Sequence, residues 1–303
     1  MIFRIALIAF CLMIAACSGD QAQEDKRAQA QAYYRTTNTI IPGSDEIIRF
    51  PALLAPDPSR PKPNLDRKAY FGDLHVHTTL SFDASAFGTT ASPADAYRYA
   101  RGEAIRHPSG FDVKLAQPLD FYAVTDHGIF LGLINDAEDT STAFSQYELA
   151  KEYHNINESV DGGLLDLAKR SKIFGNFISD VVAGLLDGTI DNSVVNKVST
   201  SAWSKTVEAA DEAYVPGTFT TFAGYEFTSS TAEREALHRN VIFRGTERLP
   251  ALPFTRFNSI NPEGLWDWMD KLRDQEIESL AIPHNSNGSN GAMFMFTDWE
   301  GKA

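Results

Sequence analysis

Cysteine is nearly absent from this chain. The sequence contains only two cysteines, Cys11 and Cys17, and none follows position 17. The rest of the chain therefore offers no thiol as a nucleophile, a zinc ligand or a disulfide partner. Any metal bound there would have to be held by histidine, aspartate and glutamate side chains.

Positive charge is also scarce. The chain has 27 lysines and arginines against 40 aspartates and glutamates, which gives a formal net charge of −13. This balance argues against nonspecific nucleic-acid binding, which needs a basic surface, so no nucleic-acid partner is expected. A small anionic substrate is compatible with it, since a bound metal reverses the local potential. The hydrophobic fraction of 43% is ample for a core, and 303 residues fit one α/β barrel or two smaller domains.

A long apolar run is missing as well. The apolar run at residues 5–16 follows a single early cation, Arg4, and is too short to be a stable membrane anchor. Residues 1–16 therefore predict a signal peptide. The end of this run, Ile14-Ala-Ala-Cys17, resembles a bacterial lipoprotein signal. That resemblance predicts a lipid on Cys17 and a location in the periplasm or at the cell surface. Because Ser18 rather than aspartate follows the cysteine, the outer membrane is favoured over the inner one. The alternative is an ordinary signal peptide with an incidental cysteine.

The remaining sequence divides into an arm and a catalytic body. Residues 17–66 are polar and rich in proline near their end, which predicts a tether followed by an extended arm. Residues 67–303 form the predicted domain. Strands are predicted at residues 69–77, 119–125, 220–228, 239–245 and 279–283, and helices at 92–100 and 262–272. Alternating strands and helices predict an α/β fold with a largely parallel sheet, whose ligands lie at the C-terminal strand ends.

Residues 136–215 interrupt this alternation. Helical patterns at 143–152 and 164–186 predict a helical insertion between two strands. Such an insertion would act as a lid or cap over the site, or it would be a purely structural appendage. Few contacts with the barrel core are expected from it.

The histidines carry the chemical signal. The chain has seven of them, and His75 and His77 are two residues apart on a predicted strand, where both side chains face the same way. His127, His238 and His284 also lie at the ends of predicted strands, as does the carboxylate of Glu226. Imidazole and carboxylate groups collected at strand ends are typical of a metallohydrolase. The other two histidines, His107 and His154, fit ordinary surface or core positions.

Two motifs resemble a known superfamily. Asp73-Leu-His-Val-His-Thr together with Thr125-Asp-His-Gly resembles the polymerase-and-histidinol-phosphatase (PHP) superfamily of metal-dependent phosphoesterases. The run Tyr70-Phe-Gly-Asp-Leu-His-Val-His-Thr, the run Leu265-Trp-Asp-Trp and the run Ile282-Pro-His-Asn-Ser-Asn resemble a secreted bacterial subfamily known mainly as a domain of unknown function. The resemblance begins near Tyr70 and is interrupted by the insertion. These motifs are fairly specific for fold and metal and weak for substrate.

The resemblance implies a distorted (β/α) barrel of PHP type with two or three metal ions at its mouth. Carried over position by position, the ligands fall into three sets: His75 and His77 for the first metal, Glu226 as a bridge with His238 and His284 for the second, and Asp83 with His127 for a third. For Asp83, a loop carboxylate or a helix cap is the alternative. Histidine and carboxylate ligands without thiolate fit Zn, Mn or Fe. A metal-bridging hydroxide would then hydrolyse a small phosphate ester.

Further polar residues receive supporting roles. Asp126 is interpreted as a carboxylate that holds an imidazole or the loop in place, and Asp73 as a second one. Arg239 is a candidate phosphate clamp, as are Arg244 and Arg234, although solvent-facing charges on a hairpin are an equally good interpretation.

One expected motif is missing. The superfamily has an Asp-x-His motif near the end of the barrel, whereas no histidine follows His284 here. Five predicted strands are also fewer than the roughly seven or eight that close such a barrel. The sequence therefore predicts a barrel that is incomplete at its C-terminus, belonging either to a fragment or to a degenerate relative. Two other functions stay open: a metal-dependent hydrolase of a non-phosphate bond, such as an amide or lactone, and a non-catalytic metal-binding lipoprotein.

Overall fold

A computed structural model describes residues 21–36, 47–49, 68–158, 163–231 and 236–302. The predicted signal peptide, Cys17 and Arg234 lie outside these described residues. Within these ranges, no helix has both the length and the apolar character needed to cross a membrane.

A mixed sheet of five strands forms the centre of the protein. Its order is β2 (Gly72–Asp73), β5 (Phe121–Val124), β6 (Thr220–Phe227), β7 (His238–Phe243) and β9 (Ser279–His284). The sheet curls into a half-barrel. Two small antiparallel pairs lie outside it: β1 (Ile47–Arg49) with β8 (Arg248–Pro250), and β3 (Ile105–Arg106) with β4 (Asp112–Val113). All five predicted strands are present, and the α/β class is confirmed.

The sheet is only partly parallel, which corrects the expectation from the sequence. β2, β5 and β6 run parallel, whereas β7 runs antiparallel to both β6 and β9. The cause is the short connection after β6, because a parallel neighbour would need a crossover of a dozen or more residues. β9 therefore points the same way as β6, and the start of β7 lies at the same sheet edge as the ends of the other four strands.

Seven α-helices are described around the sheet: α1 (Gln21–Thr36), α2 (Phe82–Ala86), α3 (Pro93–Ala100), α4 (Leu133–Glu138), α5 (Leu164–Leu186), α6 (Asn192–Ala213) and α7 (Pro262–Asp274). Short 3-10 helices occupy Phe144–Gln146, Glu148–Tyr153 and Ser286–Gly288.

Local sequence signals account for the starts of two helices. At α3, the Ser92 hydroxyl accepts a hydrogen bond from the Asp95 amide while the Asp95 carboxylate accepts one from the Ser92 amide, and a proline follows the cap. At α7, the Asn261 side chain accepts a hydrogen bond from the Glu263 amide. The predicted apolar face of α7 is confirmed, with these residues buried: Leu265, Trp268, Met269 and Leu272.

The two faces of the sheet have different roles. On the outer face, Tyr225, Phe227 and Phe243 pack against apolar side chains of α6 and α7, including Trp203 and Trp268. Because alternate strand residues point to opposite faces, Glu226 and its cross-strand neighbours lie on the inner, concave face. A further core lies between α2, α4 and α5, and a third packs α3 against β5 and α6.

The predicted insertion is helical, but it is not a separate appendage. α5 contributes Phe177 and Val181 to one core, and α6 contributes Trp203 and Val207 to another. The expectation of few contacts is therefore wrong. The physical reason is that apolar residues recur at helical spacing along both helices, and these side chains are buried against the sheet and the neighbouring helices.

The predicted tether also contains structure. Residues 21–36 form helix α1, whose Arg27 pairs with the buried Asp180 of α5, with an Nη2–Oδ2 distance of 2.9 Å. Burial by itself would lower the pKa of Arg27, but the hydrogen bond to Asp180 raises it. Ala30, 1% exposed, packs into the core beside α5. Part of the arm is thus docked on the domain rather than extended.

The packing of α6 generates a stability prediction. Trp203 is 1% exposed, contacts Tyr225 and Phe243, and donates a hydrogen bond from Nε1 to the Pro250 carbonyl at 2.9 Å. We expect Trp203→Ala to lower the free energy of unfolding by about 3–5 kcal/mol, measured by urea denaturation. Leu165→Ala, at a side chain 88% exposed, is the control and should change it by less than about 0.5 kcal/mol. Equal midpoints for the two variants would contradict the integration of α6 into the core.

Candidate metal centre

Five histidines and one glutamate meet at a single edge of the sheet. His75 and His77 follow β2, His127 follows β5, and His284 ends β9. Glu226 is the penultimate residue of β6, and His238 is the first residue of the reversed β7. The ladder pairs His238 with His284 directly and aligns His127 with Glu226 through an isolated parallel bridge. The structure thus brings together the histidines that the sequence analysis selected.

Glu226 is the centre of this cluster. Its carboxylate is 1% exposed, and every ion-pair partner the structure gives it is a histidine. Oε2 lies 2.7 Å from His77 Nε2 and 3.9 Å from His75 Nδ1. Oε1 lies 3.1 Å from His284 Nε2 and also hydrogen-bonds His238 Nδ1.

Two groups of side chains have the spacing of metal ligands. His75, Glu226 and His284 form one, and His77, His127 and Glu226 form the other, with ligand atoms in each group within 4.8 Å of one another. Glu226 belongs to both, as a bridging carboxylate would, but the histidines are grouped differently from the predicted sets: His75 and His77, predicted to share a metal, fall in different groups. His238 also bonds Glu226 but lies outside both groups.

Asp83 lies beside the second group. Its Oδ2 is 3.0 Å from His77 Nδ1 and 3.5 Å from His127 Nε2. The same carboxylate accepts hydrogen bonds from the Ser81 hydroxyl at 2.6 Å and from the Ala84 amide at 2.7 Å. Asp83 therefore lies beside His127, with which it was predicted to share a metal, and also beside His77, and it holds the first turn of α2.

Charge interactions within the cluster are strong. Burial alone would lower the pKa of His77, but hydrogen bonds to Asp83 and Glu226 outweigh it and raise the pKa to about 10. Burial alone would raise the pKa values of Glu226 and Asp83, but their hydrogen bonds with histidines hold both far below the ordinary range. Both carboxylates are therefore ionised at neutral pH, as metal ligands must be.

Two polar side chains orient the imidazoles, and neither was predicted from the sequence. The Asn240 amide donates from Nδ2 to the Leu74 carbonyl at 2.8 Å, so its oxygen faces His75 Nδ1 at 3.1 Å. This contact places the proton of a neutral His75 on Nδ1 and leaves Nε2 with a free lone pair. Similarly, the Thr228 hydroxyl hydrogen-bonds His127 Nδ1. Period-two spacing was the available signal, because Thr228 lies two residues after Glu226, and Asn240 lies two residues after His238 on the same strand.

Asp126 supports the site without facing it. Its fully buried carboxylate accepts hydrogen bonds from the backbone amide and the hydroxyl of Thr78, the latter at 2.7 Å. Burial raises its pKa to about 6, against these hydrogen bonds. Of the two roles predicted for it, holding an imidazole or holding the loop, the geometry matches the second, because Asp126 bonds the residue after His77. Asp73 acts in a comparable way, accepting a hydrogen bond from the His75 amide at 2.9 Å.

The close packing around Gly128 explains why the Thr-Asp-His-Gly motif has a glycine at this position. A Cβ atom at this position would lie 2.8 Å from the Tyr225 ring and 2.9 Å from Pro253. The Gly128 amide donates to the Glu226 carbonyl at 2.9 Å, which continues the β5–β6 alignment past His127. A larger residue would therefore clash with Tyr225 and Pro253 unless the backbone beside His127 moved.

Arg239 is not a phosphate clamp in this structure, which corrects that prediction. It pairs with Phe227 and Pro283 in the ladder, so its side chain points to the outer face, opposite His238. Its guanidinium carbon lies 5.8 Å from the Trp266 ring, and burial lowers its pKa. Arg244, another candidate, pairs with Glu278 at an exposed position.

The histidines that the sequence analysis set aside are separate from the cluster. His107 stacks on Phe111 at 4.4 Å, and His154 hydrogen-bonds the Ser145 carbonyl at 2.9 Å through Nε2. Neither lines the cavity at the site.

The cluster opens into a cavity of about 290 Å³. Its described lining consists of His75, His77, Phe82, Asp83, His127, Phe174, Glu226, Thr228, His238 and Asn285. Polar ligand atoms and two aromatic rings therefore line one concave space, as in small-molecule sites.

Divalent cations fit this set of residues. The ring centroids of His75 and His284 are 4.1 Å apart, so protonation of both imidazoles is unfavourable. His284 Nδ1 is buried and has no hydrogen-bond partner among the described residues. Cations bound through imidazole lone pairs would balance Glu226 and Asp83 without placing protons on neighbouring rings.

The support given to His75 generates a prediction. Replacing Asn240 with alanine removes the group that orients the imidazole, and the affinity for Zn²⁺ should fall by about 10- to 100-fold. The affinity is measured by competition with a chromophoric chelator. Asn196→Ala, on α6 and away from the cavity lining, is the matched control and should bind as the wild type does. Unchanged affinity in the Asn240 variant would rule out this supporting role.

Comparison with known proteins links the chain to a family. Residues 64–303 match the family described as "Protein of unknown function (DUF3604)". No match was found among curated proteins or among solved structures. The matched segment contains the whole five-stranded sheet and every candidate ligand. Because this match covers most of the sequence, the chain belongs to the DUF3604 family.

Proposed function

We propose that this protein is a metal-dependent phosphoesterase of PHP type that hydrolyses a small phosphate ester. The observation that carries the proposal is Glu226: a buried carboxylate shared by two groups of ligand spacing and surrounded by imidazoles. A structural ion pair would need one cationic partner, whereas this carboxylate has five histidines around it. The half-barrel with ligands at one strand edge supports the finer assignment to a PHP-type barrel.

The candidate ligands form two sets, and each set would hold one cation. One cation would be held by His75, Glu226 and His284, and another by His77, His127 and Glu226, with Asp83 beside the second. When bound, divalent cations supply Lewis-acid stabilisation of phosphate charge and a water of lowered pKa.

The protein itself supplies rigidity around these ligands. Asn240 and Thr228 hold imidazole orientation, and Asp126 holds the loop after His77. Fixed dipoles and ligands need no reorganisation when negative charge develops on the substrate, which is how preorganised sites lower a barrier. Phe82 and Phe174 add apolar surface to one side of the cavity.

Metal dependence is the first test. We expect the purified protein to bind at least two divalent cations, counted by elemental analysis, and to lose phosphatase activity on treatment with a chelator. A cation at about 100 times its Kd should raise the free energy of unfolding by about 2.7 kcal/mol. In Glu226→Gln, the neutral side-chain amide of glutamine cannot replace a carboxylate that two cations share. Both the metal-induced stabilisation and the activity should therefore be lost.

His154→Ala is the matched control, since His154 lies outside the cavity lining, and it should keep both properties. Circular dichroism of each variant without metal verifies that the fold is retained. A folded Glu226→Gln variant with full metal content and wild-type activity would refute the proposed centre.

A second candidate function has one observation in its favour. None of the described residues that line the cavity is a lysine or arginine. A site for an amide or lactone needs no cationic clamp, so a metal-dependent hydrolase of such a bond fits this lining too. Phosphate neutralisation would instead depend on the cations themselves.

A substrate panel separates these functions. We expect turnover of phosphate monoesters or diesters by the metal-loaded protein, measured as released phosphate or alcohol, and none of amides or lactones. Turnover confined to amides or lactones would establish the second candidate. Tight metal binding without turnover of any member would point to a non-catalytic metal-binding protein.

A further inference from the structure

One side of the cavity is aromatic. The Phe82 ring lies 4.8 Å from the His127 ring, and Phe174 of α5 stacks on Phe82 at 5.9 Å with an interplanar angle of 8°. Phe87 follows at 5.4 Å from Phe174. We call these three residues, Phe82, Phe87 and Phe174, the aromatic wall. It leads without a gap from the candidate ligand His127 to the protein surface.

The outer part of the wall is open to solvent. Phe174 is 41% exposed and Phe87 is 45% exposed, whereas Phe82 is 5% exposed. Single exposed apolar side chains are common on protein surfaces. A contiguous series that continues into a polar, concave site is characteristic of ligand-binding pockets.

The wall is held in place from behind. Phe177, one turn after Phe174 and fully buried, stacks on Phe82 at 6.0 Å. The buried Arg170 of α5 donates to the Ala86 carbonyl at 3.2 Å and to the Ile156 carbonyl at 2.9 Å. This side chain links α5, which carries Phe174, to the end of α2, where Phe87 follows. A preorganised surface loses little entropy when a ligand docks.

The charges around the cavity favour one kind of substrate. Its described lining contains two carboxylates, Asp83 and Glu226, and no lysine or arginine. Bound cations would balance one reacting anionic group, but no described side chain would balance a second. Among the described residues of the lining, the part of the substrate away from the reacting bond therefore meets apolar rings rather than cations.

We propose that the aromatic wall binds an aromatic group of the substrate, which lies against Phe174 and Phe87 while the ester is held at the metal ligands. The substrates of this site are then aryl-bearing phosphate esters rather than polyanions or small hydrophilic phosphates. The inference rests on the proposed function, because it uses the metal centre to position the ester.

Ligand binding tests the wall separately from turnover. Phenylphosphonate and methylphosphonate carry the same anionic group and cannot be hydrolysed as esters. We expect calorimetry on the metal-loaded protein to show tighter binding of phenylphosphonate. Phe174→Ala and Phe87→Ala should each weaken phenylphosphonate binding by about two- to tenfold, the range typical of one aromatic contact, and leave methylphosphonate binding unchanged.

Phe111→Ala is the matched control, since this phenylalanine is 52% exposed and stacks on His107 rather than on a ring of the aromatic wall. It should change neither affinity. Phe174→Leu keeps an apolar side chain without the ring, so it verifies that any loss in the alanine variant does not come from unfolding. Metal content is measured in each variant and should be unchanged.

Hydrolysis of phenyl phosphate and methyl phosphate completes the test. The ratio of variant to wild-type kcat/KM should fall for phenyl phosphate only. Because each ester is compared with itself in this ratio, the difference in leaving-group reactivity between the two esters cancels. Equal ratios for the two esters, or equal losses of the two phosphonates, would overturn the role of the wall and leave the phosphoesterase proposal intact. No hydrolysis of either ester and no metal-dependent phosphonate binding would overturn the proposed function and the wall together.

Discussion

The burial of Glu226 is the constraint on which the rest of the site depends. An ionised carboxylate that is 1% exposed requires compensating partners, because desolvation of an unpaired charge costs several kcal/mol. Its partners come from four other strands or strand ends, so they reach it only when the whole sheet is in register. A slip of one residue would turn Glu226 to the apolar outer face and every histidine on the slipped strand away from it. The ion pairs of the centre therefore form only when the strands of the sheet have the correct register.

The direction of β7 follows from a short connection and has a large chemical effect. Because β7 runs antiparallel to β6, its first residue lies at the edge where the other strands end, which places His238 opposite His284. The same pairing puts Asn240 opposite Glu226 on the concave face and Arg239 on the convex face, beside Phe227. One strand thus supplies a contact to the central carboxylate, the residue that orients His75, and a buried cation excluded from the cavity.

The helices between β5 and β6 contribute both to the hydrophobic core and to the lining of the candidate site. α6 covers the outer face through Trp203, and α5 packs against α2 and α4 through Phe177. α5 also contributes Phe174 to the cavity lining. The segment that the sequence pattern predicted to be an insertion therefore forms part of the core and part of the cavity wall. Helix α1 adds to this assembly by pairing Arg27 with Asp180 on α5. Changes in any of these helices are expected to affect the fold and the access to the cavity together.

The sequence by itself determined the features that depend on local periodicity. The spacing of His75 and His77, the five strands, the cap at Ser92 and the apolar face of α7 follow from side-chain direction within one element. The convergence of His127, His284 and Glu226 on one edge was predictable because each lies at the C-terminal end of a strand. His238 instead begins a strand and reaches this edge only because β7 is reversed. Only the tertiary structure decided the reversal of β7, the outward direction of Arg239, the support from Asn240 and Thr228, and the docking of α1 and α6. These features depend on which strand pairs with which and on contacts between residues far apart in the chain, and local patterns carry no information about such pairings.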